Sequence, residues 1–336
     1  MKLKVTVLGS GSWGTTVASV ATRRAASTML WARRSEQAEE IQTQHTNARY
    51  LPGFELPPTL EATNDLEKAV KHADVLVMGI PSHGFRQVLE DVRPLLRPWV
   101  PVISLTKGLE QGTHLRMTEI IGELLPGHPV GVLTGPNIAR EIMAGYAAAS
   151  VVAMESPRVV SAIQGIFNTG LFRVYTNNDV IGCEVGGALK NVIAIAAGMA
   201  DGVGVGDNTR AAVITRGLAE LTRLGVAMGG QPQTFAGLAG MGDLMVTSIS
   251  KYGRNRHVGE HLGKGLTIDE IVNGMHMVAE GVKTSKVVME LSEQLGVRMP
   301  IAQEVYKVIH QDDYTAQDAY RGLVGEHTPG AEAEPG

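Results

Sequence analysis

The chain has 336 residues, 44% of them hydrophobic and 19% charged, with a formal net charge of −4. That length suggests about two domains with sizeable cores. Aromatic residues make up only 4%, so the cores must be built from aliphatic side chains. The 30 basic and 34 acidic residues form no basic block, which argues against nucleic acid as a main partner. Cys183 is the one cysteine and cannot form an internal disulfide, which fits a reducing cytoplasm. No apolar leader precedes the first strand-like run, and no stretch approaches ~18 uninterrupted apolar residues. The expectation is a soluble, cytoplasmic protein with no integral membrane segment.

In chain order, Lys2–Leu8 reads as a strand and Thr15–Arg24 as the helix after it. Ser27–Trp31 reads as a second strand, and Ser35 can cap the next helix. Three prolines make 47–58 a loop. Asp65–His72 has helical character, and Ala73–Ile80 is a buried strand stopped by Pro81. Val100–Thr106, Gly131–Thr134, Ala148–Met154 and Leu171–Tyr175 read as further strands. This alternation predicts an α/β fold: an N-terminal, Rossmann-like, doubly wound and mostly parallel sheet over residues 1–178. The pattern changes near Asp179. Cys183–Met199, Thr209–Leu224, Ile268–Gly274 and Val282–Leu295 carry helical patterns with almost no strand signal between them. An all-helical second domain over 179–325 follows, with a polar, Pro/Gly-rich disordered tail over 326–336.

The stretch Gly9-Ser10-Gly11-Ser12-Trp13-Gly14 lies between the first strand and its helix. There G-x-G-x-x-G points to a dinucleotide, although a glycine-rich turn joining strand to helix is the plainer alternative. Gly9 permits the tight turn, Gly11 lets the backbone approach a pyrophosphate, and Gly14 lets the helix pack on the strand. The helix N-terminus then offers N–H groups and partial positive charge. At the end of the second strand stand Arg33 and Arg34, where many NAD-binding folds place a carboxylate. Two arginines suit a 2′-phosphate, so NADP is the expected cofactor, with NAD also accepted. They can equally be a solvated loop.

Three segments carry further chemistry. Lys107 follows a buried strand, at the carboxyl edge where α/β sheets bind ligands. Lys190 and Asn191 interrupt an apolar, small-residue helix, so Lys190 is expected to be partly buried and suited to proton transfer. Snorkelling to water is its alternative. Gly240-Met241-Gly242-Asp243-Leu244 is followed by Thr247 and by Gly253-Arg254-Asn255-Arg256. Asp243 can pair with a lysine or cap a helix; Arg254 and Asn255 can grip a phosphate or form a surface fork. No His, Cys and carboxylate spacing suggests a metal.

Together these segments resemble the bacterial type of NAD(P)-dependent glycerol-3-phosphate dehydrogenase. The shared motifs are Gly9–Thr15, Lys107-Gly108, Gly135-Pro136-Asn137-Ile138-Ala139, Gly187–Asn191, Gly240–Leu244, Arg254-Asn255-Arg256 and Ala279-Glu280-Gly281, in family order from residue 1 to about 310. The resemblance implies reversible reduction of dihydroxyacetone phosphate to sn-glycerol 3-phosphate for phospholipid synthesis, in a homodimer. It assigns Lys190 as general acid/base. It assigns substrate contacts to Lys107, Gly135, Asn137, Lys190, Asn191, Asp243, Thr247, Gly253, Arg254 and Asn255. It assigns cofactor contacts to Gly9, Gly11, Ser12, Trp13, Gly14, Arg33, Arg34, Tyr50, Lys107, Ala139, Arg254, Val278 and Glu280. The family usually has serine where this chain has Asn137 and Gly253, so a hydroxyl is lost at both places.

In the implied reaction, charge develops on the substrate carbonyl oxygen, and a lysine ammonium there stabilises it and donates the proton. Two other readings stand beside this one. A β-hydroxyacid dehydrogenase also uses a lysine followed by asparagine on a helix, but lacks the Gly-Asp-Leu and Arg-Asn-Arg set in this form. A non-catalytic dinucleotide-binding redox sensor has no need for Lys107, Lys190 and Asp243 together.

Overall fold

Strand β1 (Lys4–Leu8) is buried from Val5 onward, as expected of a strand covered on both faces. The computed structural model describes residues 2–275 and 279–325. After β1 come α1 (Ser12–Ala21), β2 (Ser27–Trp31), α2 (Ser35–Gln44), β3 (Leu60–Thr63), α3 (Leu66–His72), β4 (Val75–Met78) and α4 (Ser82–Val92). Then follow β5 (Val102–Ser104), α5 (Met117–Leu124), β6 (Val130–Thr134), α6 (Ala139–Met143), β7 (Ala148–Met154), α7 (Pro157–Phe167) and β8 (Phe172–Asn177). They build one eight-stranded sheet in the order β3-β2-β1-β4-β5-β6-β7-β8. The first six strands are parallel and reverse direction of travel between β1 and β4, which is where such sheets bind ligands. β7 runs antiparallel to β6, and β8 is parallel to β7. At this edge β8 buries Phe172 and Val174 and exposes Arg173 and Tyr175, the alternation of a strand with one wet face.

The chain divides into two compact units. One holds the chain up to Lys107 with Leu115–Val180; the other holds Gly108–His114 and the chain from Ile181 onward. The short excursion after Lys107 belongs with the second unit because Leu109 joins its core and His114 Nε2 lies 2.7 Å from Glu290 Oε2.

The second unit is helical: α8 (Val180–Val203), α9 (Asp207–Ala227), α10 (Pro232–Phe235), a π-helical turn (Leu238–Gly242), α11 (Asp243–Ile249), α12 (Arg254–Gly263), α13 (Ile268–Asn273), α14 (Glu280–Gln294), α15 (Pro300–His310) and α16 (Ala316–Gly325). Every residue of α8 from Gly182 to Ala200 is buried. By length and composition α8 could cross a membrane, but 89% of its most apolar window is buried inside the protein, as in a core helix.

Glycine spacing explains how closely α12 rests on α8. A Cβ at Gly198 would stand 2.2 Å from Arg256 O, and one at Gly202 2.2 Å from Glu260 O. Reciprocally, a Cβ at Gly259 would meet Ile195 O at 2.0 Å and one at Gly263 Met199 O at 2.6 Å. Each helix therefore offers two glycines four residues apart, one turn above the other, and the backbones touch without a side-chain layer.

Several expectations shift. Ser35 is not the cap of α2; Arg34 holds that position, and no side chain caps it. The first helix starts at Ser12, so the glycine loop runs straight into it, and it ends at Ala21. β3, missed in the sequence, is short and follows a proline pair. The tail at 326–336 and Val278 lie outside the described residues.

Candidate active site

In the first unit the glycine loop leaves β1 at Gly9, whose φ of +110° suits only glycine. A Cβ there would lie 2.4 Å from Gly79 O at the end of β4, and one at Gly14 would lie 2.0 Å from Gly9 O. Gly11 differs: a Cβ there meets no protein atom within 4 Å. Gly11 caps α1 with no side-chain hydrogen bond, and the first turn carries no acidic residue. An open backbone face at a helix N-terminus, beside the switch point of the sheet, fits the pyrophosphate of a dinucleotide.

The loop is also held from behind. Ser10 O accepts hydrogen bonds from Gln37 Nε2 at 3.0 Å, Asn47 Nδ2 at 2.9 Å and Thr15 Oγ1 at 3.2 Å. Asn47 is wholly buried, bonds Thr15 Oγ1 as well, and accepts from Gln37 Nε2 on its Oδ1. Three donors on one carbonyl orient the Ser10–Gly11 peptide, whose N–H is Gly11's own. Sequence reading missed Gln37 and Asn47 because neither belongs to a motif. Ser12 Oγ donates to Tyr50 O at 2.9 Å, which ties Tyr50 to the same loop. Trp13 packs edge-on against Phe172 with centroids 6.2 Å apart, and its Nε1 is buried without a partner. Arg33 and Arg34 are exposed just beyond β2.

Lys107 ends this unit at the carboxyl edge of β5, as expected. Its Nζ donates to Gly135 O at 2.9 Å. Gly135 has φ +124°, and a Cβ there would lie 3.3 Å from Ser150 Cα. Two residues on, Asn137 Oδ1 accepts from Ser150 Oγ at 2.8 Å, while its Nδ2 is buried without a partner. A neighbouring serine hydroxyl thus contacts the position where the family's own serine is missing. Ala139 opens α6.

In the second unit Lys190 is more buried than expected, with its side chain 5% exposed. Its Nζ donates to Asp243 Oδ1 at 2.5 Å and to Thr247 Oγ1. The Thr247 hydroxyl in turn donates to Asp243 O at 2.6 Å, one helical turn back. Asp243, 1% exposed, is the first residue of α11 and is delivered by the π-helical turn before it. That turn requires Gly240, where a Cβ would lie 2.1 Å from Phe235 O. Such turns recur at functional sites. The lysine-pairing reading of Asp243 is the one the geometry supports.

Asn191 Oδ1 accepts from Asn255 Nδ2 at 2.8 Å, and Asn255 Oδ1 accepts from Gly281 N at 3.0 Å. Asn255 thus links α8, α12 and the start of α14, where Glu280 stands. Crowding of protein around the Arg254 guanidinium lowers its pKa, and Glu280 opposes that shift. Gly253 precedes α12; a Cβ there would lie 2.8 Å from Thr247 O, so the usual family serine would require the α11–α12 turn to move. Among the described residues no group of His, Cys, Asp and Glu could hold a metal ion.

A family model described as the NAD-dependent glycerol-3-phosphate dehydrogenase N-terminus matches residues 4–160, and one described as its C-terminus matches 179–320. The chain is 62% identical over 336 residues to glycerol-3-phosphate dehydrogenase (NAD(P)+) 2 of Sphingopyxis alaskensis, covering all of both chains. It is 57% identical over 330 residues to the glycerol-3-phosphate dehydrogenase (NAD(P)+) of Mycobacterium avium, covering 98% of this chain and 96% of the other. The crystal structure of glycerol-3-phosphate dehydrogenase from Coxiella burnetii superposes with a TM-score of 0.92 at 35% identity, covering 96% of this chain and 99% of that one. Matched in both halves and covered nearly end to end by these relatives, the chain belongs to the NAD-dependent glycerol-3-phosphate dehydrogenase family.

Proposed function

We propose that this chain catalyses the reversible NAD(P)H-dependent reduction of dihydroxyacetone phosphate to sn-glycerol 3-phosphate. Beyond family membership, one observation carries the reading: a lysine in the middle of a buried helix, anchored by Asp243 and Thr247. When bound, the dinucleotide supplies the hydride. Lys190 stands by the carbonyl oxygen, stabilises the charge that develops there and donates the proton. Asp243 fixes the ammonium and supports its positive charge. Thr247, bonded back to its own helix, holds the second direction. Arg254 grips the substrate phosphate, so that binding away from the carbonyl orients the reacting atoms. Asn191, Asn255 and the backbone at Gly253 complete that end, and Lys107, Gly135 and Asn137 supply further substrate contacts.

On the cofactor side, the Gly9–Gly14 loop binds the pyrophosphate through its open backbone at Gly11 and Ser12, with Trp13, Tyr50, Lys107, Ala139, Arg254 and Glu280 around the dinucleotide. Arg33 and Arg34 bind the 2′-phosphate of NADP. The same reading includes a cytoplasmic homodimer supplying phospholipid synthesis; sedimentation velocity tests the dimer.

The test is loss of NADPH absorbance with three acceptors. Dihydroxyacetone phosphate should be reduced efficiently, dihydroxyacetone poorly and a β-keto acid not at all. Equal turnover of dihydroxyacetone with and without phosphate would overturn the phosphate grip, and preference for the β-keto acid would overturn the whole reading.

A further inference from the structure

Arg256 closes the Arg-Asn-Arg motif, yet it engages Asp201 and not Asn191, the partner of its neighbour Asn255. Its Nε donates to Asp201 Oδ2 at 3.0 Å, and its second guanidinium nitrogen approaches the same oxygen at 2.8 Å. The other oxygen of Asp201 accepts from Arg210 of α9 at 3.1 Å. Arg256 also reaches Glu260 one turn along α12, at 3.3 Å. The Arg256 and Asp201 side chains are only 20% and 13% exposed, so this fork is better shielded than an ordinary surface pair.

Its position gives it leverage. Asp201 lies on α8, eleven residues after Lys190, next to the pair Gly198 and Gly202 on which α12 rests. At that crossing the four glycines let backbone meet backbone, so they offer no side chain to set the rotation of α12. The Asn255–Asn191 bond and the Arg256–Asp201 fork tie its first turn to α8. Arg254 lies in that same first turn.

We infer that Arg256 is a positioning residue: through Asp201 it sets the rotation and register of α12, and so the placement of the Arg254 guanidinium relative to the Lys190 ammonium. The inference rests on the proposed role of Arg254 in holding the substrate phosphate. Lysine at 256 would keep the charge but not the two-nitrogen fork, so it should restore part of the function. A misplaced phosphate grip weakens substrate binding first and chemistry second.

The experiment compares Arg256→Ala, Arg256→Lys, Asp201→Asn and Arg254→Ala in steady-state kinetics on the full chain, with thermal unfolding alongside. Arg256→Ala should raise KM for dihydroxyacetone phosphate about 10-fold or more, with smaller changes in kcat and in KM for NADPH. Arg256→Lys should recover part of that rise. Asp201→Asn should reproduce the KM effect, and should do so even if Arg256→Ala fails to fold. If Arg254→Ala raises KM while Arg256→Ala and Asp201→Asn leave it unchanged, the positioning role is wrong and the phosphate grip stands. A fall in Tm and kcat without a KM change would also overturn the inference, since a purely structural role does that. If Arg254→Ala itself leaves KM unchanged, the underlying functional reading fails instead.

Discussion

A lysine buried alone in an apolar helix is costly, and Lys190 is not alone. Asp243 and Thr247 both receive it, and Thr247 is itself tied to the Asp243 carbonyl. Much of this was legible in the sequence. A lysine between small apolar residues needs a partner, and the Gly-Met-Gly-Asp-Leu segment offered one. Asn255 was legible as a functional position, but its two bonds to Asn191 and Gly281 were not, because they depend on where α12 and α14 lie. Gln37 and Asn47 were invisible, since a buried amide that clamps a carbonyl has no spacing to read. Arg33 was legible from what it replaces. Arg33→Asp should lower the NADP-to-NAD ratio of kcat/KM by about 10-fold or more, as one charge-assisted contact is lost and a repulsive one gained. An unchanged ratio would leave Arg33 as a solvated loop residue.

Glycines at the level of elements do two opposite jobs, and local sequence does not tell them apart. Gly259 is filled space: a Cβ meets Ile195 O at 2.0 Å and Met199 N at 2.8 Å. Gly259→Ala should therefore push α12 off α8 and cost about 1–3 kcal/mol of stability, seen as a lower Tm or denaturant midpoint. Gly11 is open space, with ordinary negative φ, so Gly11→Ala should leave unfolding nearly unchanged while weakening dinucleotide binding. Measured together by thermal unfolding and NADPH titration, the two variants should fail in opposite assays. The first six strands were legible because parallel strands read as short apolar runs, except β3, whose four residues include the exposed Glu61. The reversal at β7 was not, since strand direction depends on the connection and not on composition.

At the scale of the whole molecule, the buried carboxylate of Glu220, outside the site, has consequences for stability. Glu220 on α9 accepts from the Ile301 and Ala302 backbone N–H groups at the start of α15, at 2.8 and 3.2 Å. Burial pushes its pKa up from 4.5 to about 7, and those N–H groups pull the other way without prevailing. The folded chain thus holds this proton more tightly than the unfolded chain. The stabilisation it brings is complete below pH ~4.5 and is lost as pH rises to about 7, a change on the order of 3 kcal/mol. Denaturant unfolding across that window should show Glu220→Gln with a flatter pH dependence than the parent; identical slopes would mean that Glu220 titrates normally. Single-turnover reduction of dihydroxyacetone phosphate by Lys190→Met tests Lys190 as the proton donor. The rate should fall about 10²- to 10⁴-fold below the parent with NADPH binding close to normal. A near-parental rate at saturating substrate would contradict that role.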